Sequence, residues 1–399
     1  MFSIECLEGR RLLSVTWDHG ELSNAAPVEA TPARVAHPAV HAPSRRSPKR
    51  VAHDLAATVA TANTPAGFFP IAVWLQPTYL MSHWKSVGVN TLYGYESEGG
   101  SVSLAQWNSA ATANGLYTIR TPASSATADK ADKYLHAYML PDEPDLHNVN
   151  AKNLQAQYAA LKKFNPSVPV IENYSGGYVL HWQGNVTSKT YAAYLAASDW
   201  DSSDIYPVTG WGLPDRLSAP GDAVTMLSKA TGGKAQMAFI ETSNQNLWWV
   251  TNDKGVTPGQ LSAEIWTAIN HGAKGITYFP QQIGGFNYDA TPADVLAEMT
   301  TQNARITSLG GPLSSEYDPA TYGMGLTGGL QGSWRSYNGH AYFIVTNPIA
   351  NTVTAGGRVY GVPRHTSSAT VLGESRTLTM DAGAFTDTFA PYETHVYIV

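Results

Sequence analysis

The chain has 399 residues, of which 43% are hydrophobic and 14% charged, and it carries a formal net charge of −6. The acidic balance argues against a nucleic-acid partner. No apolar run approaches the roughly 20 residues of a membrane-spanning helix, and the single cysteine, Cys6, excludes an intrachain disulfide and a cysteine-based metal site.

Residues 1–23 contain Leu7-Glu8-Gly9-Arg10-Arg11-Leu12-Leu13-Ser14. This stretch lacks the continuous apolar core of an ordinary signal peptide. It resembles the short Leu-Glu-x-Arg-x-Leu-Leu-Ser segment near the start of many exported or surface proteins in one group of budding bacteria, with Gly9 where that segment usually has Pro. The resemblance implies an exported protein, extracellular or on the cell surface. Residues 24–66 are rich in Ala, Pro, Val and Ser and hold the basic run Arg45-Arg46-Ser47-Pro48-Lys49-Arg50. No hydrophobic period survives there, which predicts a disordered Ala/Pro-rich linker.

From residue 67 apolar runs recur, each closed by Gly, Pro, Asn or Asp. Runs at 68–76, 89–95, 117–121, 134–140, 168–173, 199–206, 236–240 and 274–279 read as eight strands. Helices read at 80–87, 103–114, 153–164, 191–197 and 223–230. Another is marked by Leu261, Ile265, Ala268 and Ile269, and a last one spans 293–309. Continuous rather than alternating apolar strands are buried on both faces and hence parallel. Eight such units over residues 67–310 match an α/β fold of the (β/α)8 TIM-barrel type. A doubly wound sheet is disfavoured, because no Gly-rich phosphate loop follows the first strand. Residues 311–399 carry short strands without helices, and Asn338-Gly339 is a hairpin-turn signal. They predict a small antiparallel β-sandwich packed against the barrel.

Two of the runs end on glutamate: Met139-Leu140-Pro141-Asp142-Glu143-Pro144-Asp145 after the fourth strand and Met237-Ala238-Phe239-Ile240-Glu241 at the seventh. An acid where a buried strand stops is badly placed for packing. In a barrel it is well placed for chemistry, since the carboxyl ends of all strands meet on one face. Two glutamates delivered there meet the needs of glycoside hydrolysis, one as proton donor and one as nucleophile or base. Taken singly, Glu143 also reads as a carboxylate capping the helix that follows. That reading is weaker for Glu241, which directly follows an apolar run.

At these positions residues 67–310 resemble the clan of retaining (β/α)8 glycoside hydrolases with catalytic glutamates after strands four and seven. The resemblance implies Glu143 as acid/base, Glu241 as nucleophile and a carbohydrate substrate. It also implies that Tyr206, near strand six, hydrogen-bonds the nucleophile. Two positions depart from the clan's pattern. Asp142 stands where Asn is common, and this second carboxylate is expected to raise the pKa of Glu143. At the end of strand eight, Tyr278-Phe279-Pro280-Gln281 replaces a frequent Trp, so the sugar platform falls to Tyr278, Phe279 or Gln281.

Further binding candidates at strand ends are Glu96 and Glu98 after strand two, and Glu172 and Asn173 at strand five. Asp204-Ile205-Tyr206-Pro207 closes strand six. Tyr174, Tyr178, Trp182, Trp211, Trp248 and Trp249 crowd the same loops, where aromatic faces suit pyranose rings and also ordinary packing. His136, His147, His181 and His271 are scattered without paired spacing, so neither a metal nor another cofactor is expected. No Gly-x-Ser-x-Gly elbow is present, which argues against a serine esterase. The alternative function is a non-catalytic glycan-binding or cell-surface barrel, because fold alone does not prove activity. A third reading is an inverting hydrolase with a different carboxylate pair.

Overall fold

The computed structural model describes residues 64–176, 188–243, 255–282, 286–315 and 322–399. The segment 1–23, the linker before residue 64, and Tyr178, His181, Trp182, Trp248 and Trp249 lie outside them. The apolar runs form β1 (Ile71–Gln76), β2 (Thr91–Tyr95), β3 (Tyr117–Arg120), β4 (Leu135–Met139), β5 (Val170–Ser175), β6 (Trp200–Asp204), β7 (Ala235–Glu241) and β8 (Gly275–Phe279). Each strand pairs in parallel with the next, and β8 returns to β1 at Ile71↔Ile276, so the barrel is closed.

The helices are α1 (Met81–Ser86), α2 (Leu104–Ala113), α3 (Ala126–Ala131), α4 (Ala151–Phe164), α5 (Ser188–Leu195), α6 (Ala219–Thr231), α7 (Pro258–Asn270), α8 (Ala293–Ser308) and α9 (Gly310–Ser314). Local chemistry starts two of them cleanly. Ser103 and Gln106 form a reciprocal capping box for α2, and Thr257 and Gln260 do the same for α7. Helix α3 departs from the sequence reading, because Ala126-Thr127-Ala128-Asp129-Lys130-Ala131 has no apolar period. It is tied down instead by Asp129, which pairs with the buried Arg120 at 2.8 Å.

Strand side chains alternate with a period of two, so each strand faces both the barrel axis and the helices. Trp74, Tyr93, Ile119, Ile171, Met237, Phe239 and Phe279 fill the inside. Ile71, Val73, Leu92, Ala238, Ile240, Ile276 and Tyr278 meet Trp84, Trp107 and Trp266 of the helical layer. Burying each large apolar side chain contributes about 1.5–3 kcal/mol. Strand β4 breaks the alternation once. Its pairing with β3 jumps from Thr118↔Leu135 to Ile119↔Ala137, leaving His136 as an extra residue, a β-bulge. His136 is wholly buried among the rings of Phe68, Tyr117 and Trp200, and burial pushes its pKa down to about 3.

The C-terminal strands are β9 (Gly323–Leu326), β10 (Gln331–Tyr337), β11 (His340–Thr346), β12 (Val353–Tyr360), β13 (Ser368–Val371), β14 (Arg376–Thr379), β15 (Ala384–Phe389) and β16 (Thr394–Ile398). They form antiparallel sheets of order β10-β11-β16-β13-β14 and β15-β12-β9 with Phe343, Val345, Phe385 and Phe389 in the shared core. Helix α7 is buried along nearly its whole length between barrel and sheets. Asn270 bonds Ser333 and Thr346, and Arg335 reaches the Ile269 carbonyl.

Candidate active site

The carboxyl ends of β4, β5 and β6 are joined through one amide. Asn173 donates from Nδ2 to Asp142 at 2.9 Å and to Asp204 at 2.8 Å, while its Oδ1 accepts from Ser202 at 2.9 Å. Both amide protons face carboxylates, so the amide has only one sensible orientation. Asn173, Ser202 and Asp204 alternate in phase with the inward Ile171 and Trp200, which turns this chain of contacts into the barrel mouth. Burial, then the charge of Asp142, pushes the Asp204 carboxyl well above the usual range and favours its protonated form.

Glu143 follows directly and is half-buried. Its amide donates to the Asn173 carbonyl at 3.0 Å, and its backbone is left-handed, with φ 44°. That conformation costs a non-glycine residue about 1–2 kcal/mol. The same strain recurs across the mouth at Leu75, φ 38°, beneath which Gly94 has no room for a side chain. A Cβ there would meet Leu75 Cδ2 at 2.5 Å.

Glu241 ends β7 with a fully buried carboxylate. Oε1 accepts from the Val208 amide at 2.6 Å; Oε2 accepts from the Thr209 amide at 2.6 Å and from the Thr209 hydroxyl. The loop after β6 is thereby wrapped onto the end of β7. Burial pushes the Glu241 pKa up, and the Thr209 and Val208 donors pull the other way. Behind it lies Glu264 of α7, also fully buried and in hydrogen-bonding contact with the Glu241 carboxyl and backbone amide. Burial and the neighbouring Glu241 charge hold Glu264 well above the normal carboxylate range.

The tyrosine expected to bind Glu241 does not do so. The Tyr206 hydroxyl is buried and faces Asp204 rather than Glu241, with Glu143 and Asp142 as its other neighbouring charges. Its ring stacks at 4.9 Å on Phe279, which is the inward residue of the β8 ending. Tyr278 points the other way, out to the helices, and bonds Asn303 at 2.7 Å. Glu172 likewise shares the outward phase of Val170 and Tyr174, and Tyr174 packs in that outer layer. Glu172 is fully buried with one oxygen lacking a donor, and burial raises its pKa well above normal. Neither residue joins the mouth, because a strand end presents alternate residues to opposite faces.

Gln281 holds the β8 ending to β1 by donating to the Trp74 and Leu75 carbonyls at 2.6 and 3.2 Å. Trp211 packs over Gly176, where an added Cβ would lie 2.8 Å from its ring and 2.4 Å from the Asp204 carbonyl. Glu96 accepts from the Glu98 amide at 2.7 Å, and Glu98 accepts from Thr78. Trp248 lies outside the described residues. Sequence reasoning missed Glu264 outright, since a glutamate on an amphipathic helix reads as solvent-facing. It missed the weight of Asp204, whose inward phase with Ser202 was available as a signal.

The Glyco_hydro_42 family model, described as beta-galactosidase, matches residues 147–307, a span that begins after Glu143 and includes Glu241. No curated protein matches the chain. Among solved structures, an α-amylase from Geobacillus thermoleovorans complexed with acarbose is 9% identical with TM-score 0.55, covering 80% of this chain and 90% of that one. Amy13B from Eubacterium rectale is 9% identical with TM-score 0.52, covering 84% and 96%. A putative α-galactosidase/melibiase from Bacteroides fragilis is 9% identical with TM-score 0.51, covering 84% and 80%. At these identities the likeness is one of fold.

Proposed function

We propose that the chain is a glycosidase that hydrolyses a poly- or oligosaccharide at the carboxyl-terminal mouth of its barrel. The observation that carries this reading is the left-handed backbone of Glu143 beside the Asp142–Asn173–Asp204 contacts. Backbone strain in a non-glycine residue persists only where its surroundings impose it, and it concentrates at reactive sites. The match to the beta-galactosidase family model supports the same reaction class. The Leu7–Ser14 segment supports an exported enzyme and hence a substrate outside the cell.

In the retaining form of this mechanism Glu143 protonates the glycosidic oxygen as Glu241 attacks the anomeric carbon. Water, giving its proton to Glu143, then releases the sugar from Glu241. The Val208 amide on Oε1 and the Thr209 amide and hydroxyl on Oε2 fix the orientation of the Glu241 carboxylate. The complete burial of Glu241 favours one other arrangement. In that second reading the reaction inverts, and Asp142, the ionised member of the Asp142–Asp204 pair, activates water while Glu143 protonates the leaving oxygen.

The anomer of the first product, followed by NMR, separates the two. Retention together with a loss of about a thousandfold or more in Glu241→Gln supports the first. Inversion with an active Glu241→Gln and an inactive Asp142→Asn supports the second. A Glu143→Gln variant with full activity removes both.

A further inference from the structure

The loops after β8, β1 and β2 lie across the barrel mouth from Glu143 and begin one strand beyond Glu241, and they carry an aromatic cluster that the proposed reaction does not use. Tyr79 is 65% exposed and Phe286 52% exposed. Tyr288 stands between them, with ring centroids 6.4 Å from Tyr79 at 82° and 4.8 Å from Phe286 at 85°. Its backbone carbonyl is anchored by Gln76 of β1 at 3.1 Å, so the rings are fixed to the barrel frame. The Tyr288 hydroxyl is bonded to Glu96, and the hydroxyl of Tyr79 lies close to Glu98 and Glu96. Glu98 is itself held by the Thr78 amide and hydroxyl, both at 2.6 Å.

Large aromatic side chains left in water beside fixed carboxylates call for a ligand with two characters. A purely apolar partner would strip water from the carboxylates without replacing it, at a cost. Successive rings meet edge to face, at 82° and 85°, so each exposed ring offers a face of its own rather than one wall of a cage for a cation. A pyranose ring has both characters: an apolar C–H face for an aromatic ring and hydroxyls that donate to carboxylates. We propose that Tyr79, Tyr288 and Phe286, with Glu96 and Glu98 at their polar edge, form a sugar-binding subsite that holds a residue of the substrate remote from the bond being cleaved. The identity of the ligand rests on the glycosidase reading above.

The test is affinity electrophoresis of the full chain through native gels containing soluble starch, xylan or galactan, comparing wild type with Tyr79→Ala and Phe286→Ala. Both side chains are exposed, and thermal melts check that the variants fold. The expected result is retardation of wild type by at least one polysaccharide, and dissociation roughly three- to tenfold weaker in each variant, the equivalent of one aromatic contact. Equal retardation of all three proteins, or none in any gel, overturns the subsite. Release of reducing ends from the same polysaccharides is scored separately, with Glu143→Gln as control. Hydrolysis without Tyr79-dependent retardation leaves the glycosidase and removes the subsite. Tyr79-dependent retardation without hydrolysis leaves the subsite and removes the catalytic reading.

Discussion

On the β4–β7 arc of the mouth the acids are bound to one another or to a loop: half-buried Asp142 and Asp204 through one asparagine, buried Glu241 through three donors of the neighbouring loop. On the β8–β2 arc the aromatic rings stand in solvent, and the acids there serve loop backbone groups. The first arc spends stability to hold carboxyl groups where water is scarce, which raises the pKa values of Asp204 and Glu241. Backbone strain does not separate the arcs, since Leu75 and Glu98 on the second are left-handed like Glu143 on the first; exposure of the aromatic rings does. Under the proposed function the first arc would cleave and the second would hold the chain, and the two arcs should respond differently to substitution.

The largest effect is expected at Glu143. Glu143→Gln should lower kcat by about 10²–10⁴-fold, and Glu143→Gly should lose activity while gaining up to about 1 kcal/mol in stability, because glycine relieves the left-handed strain. Steady-state kinetics paired with urea unfolding reads both. A Glu143→Gly protein that is less stable than wild type would show that the conformation is not strained.

Next comes the Glu241 anchor. Glu241→Ala leaves the Val208 amide, the Thr209 amide and the Thr209 hydroxyl without their acceptor. Each orphaned buried donor costs about 1–3 kcal/mol, so a loss of at least about 3 kcal/mol should appear in urea unfolding.

Stability should also depend on pH, falling as pH rises from about 4 toward neutrality. Glu172, Asp204 and Glu264 have folded pKa values raised well above normal, so each lowers stability as pH rises from its unfolded value toward its folded one. Asp201, raised from 3.8 to about 6 by burial, adds to this fall. His136, with a folded pKa lowered from 6.5 to about 3, works the other way, but it is one group against four. Asp201→Asn should therefore make the fall shallower. Urea midpoints from pH 4 to 9 test this, and a stability that climbs steadily to pH 9 contradicts it.

The smallest effect belongs to the aromatic arc. Tyr79→Ala should change stability by no more than about 0.5 kcal/mol, and a larger loss by calorimetry would mean that its ring packs rather than waits for a ligand.

The barrel was legible because parallel strands buried on both faces leave continuous apolar runs, and eight such runs separated by helical periods admit few other folds. Helix α3 escaped because alanines with one Asp and one Lys carry no period. Strand β9 escaped because Gly323-Met324-Gly325-Leu326 is too short to show one. The site was legible down to the strand ends and no further. Which residue of an ending faces the mouth depends on phase, and the endings of β5 and β8 were read without it, so Glu172 and Tyr278 were set on the wrong face. Glu264 was out of reach for a different reason: α7 is covered on its outer side by a sheet more than sixty residues later in the chain, and no local pattern records that.

The bulge at His136 works like a spare letter in a message read two letters at a time. Leu135 packs outward and Ala137 inward, and the strand regains step with its neighbours only because one residue is passed over. Deleting His136 would restore an uninterrupted ladder and displace the lower strand by one place. The outward Leu135, the inward Ala137 and the aromatic setting of the histidine could no longer all be kept, and the chain leading to Glu143 would set out from a different register. The reach of Glu143 into the mouth is thus counted from a bulge seven residues before it.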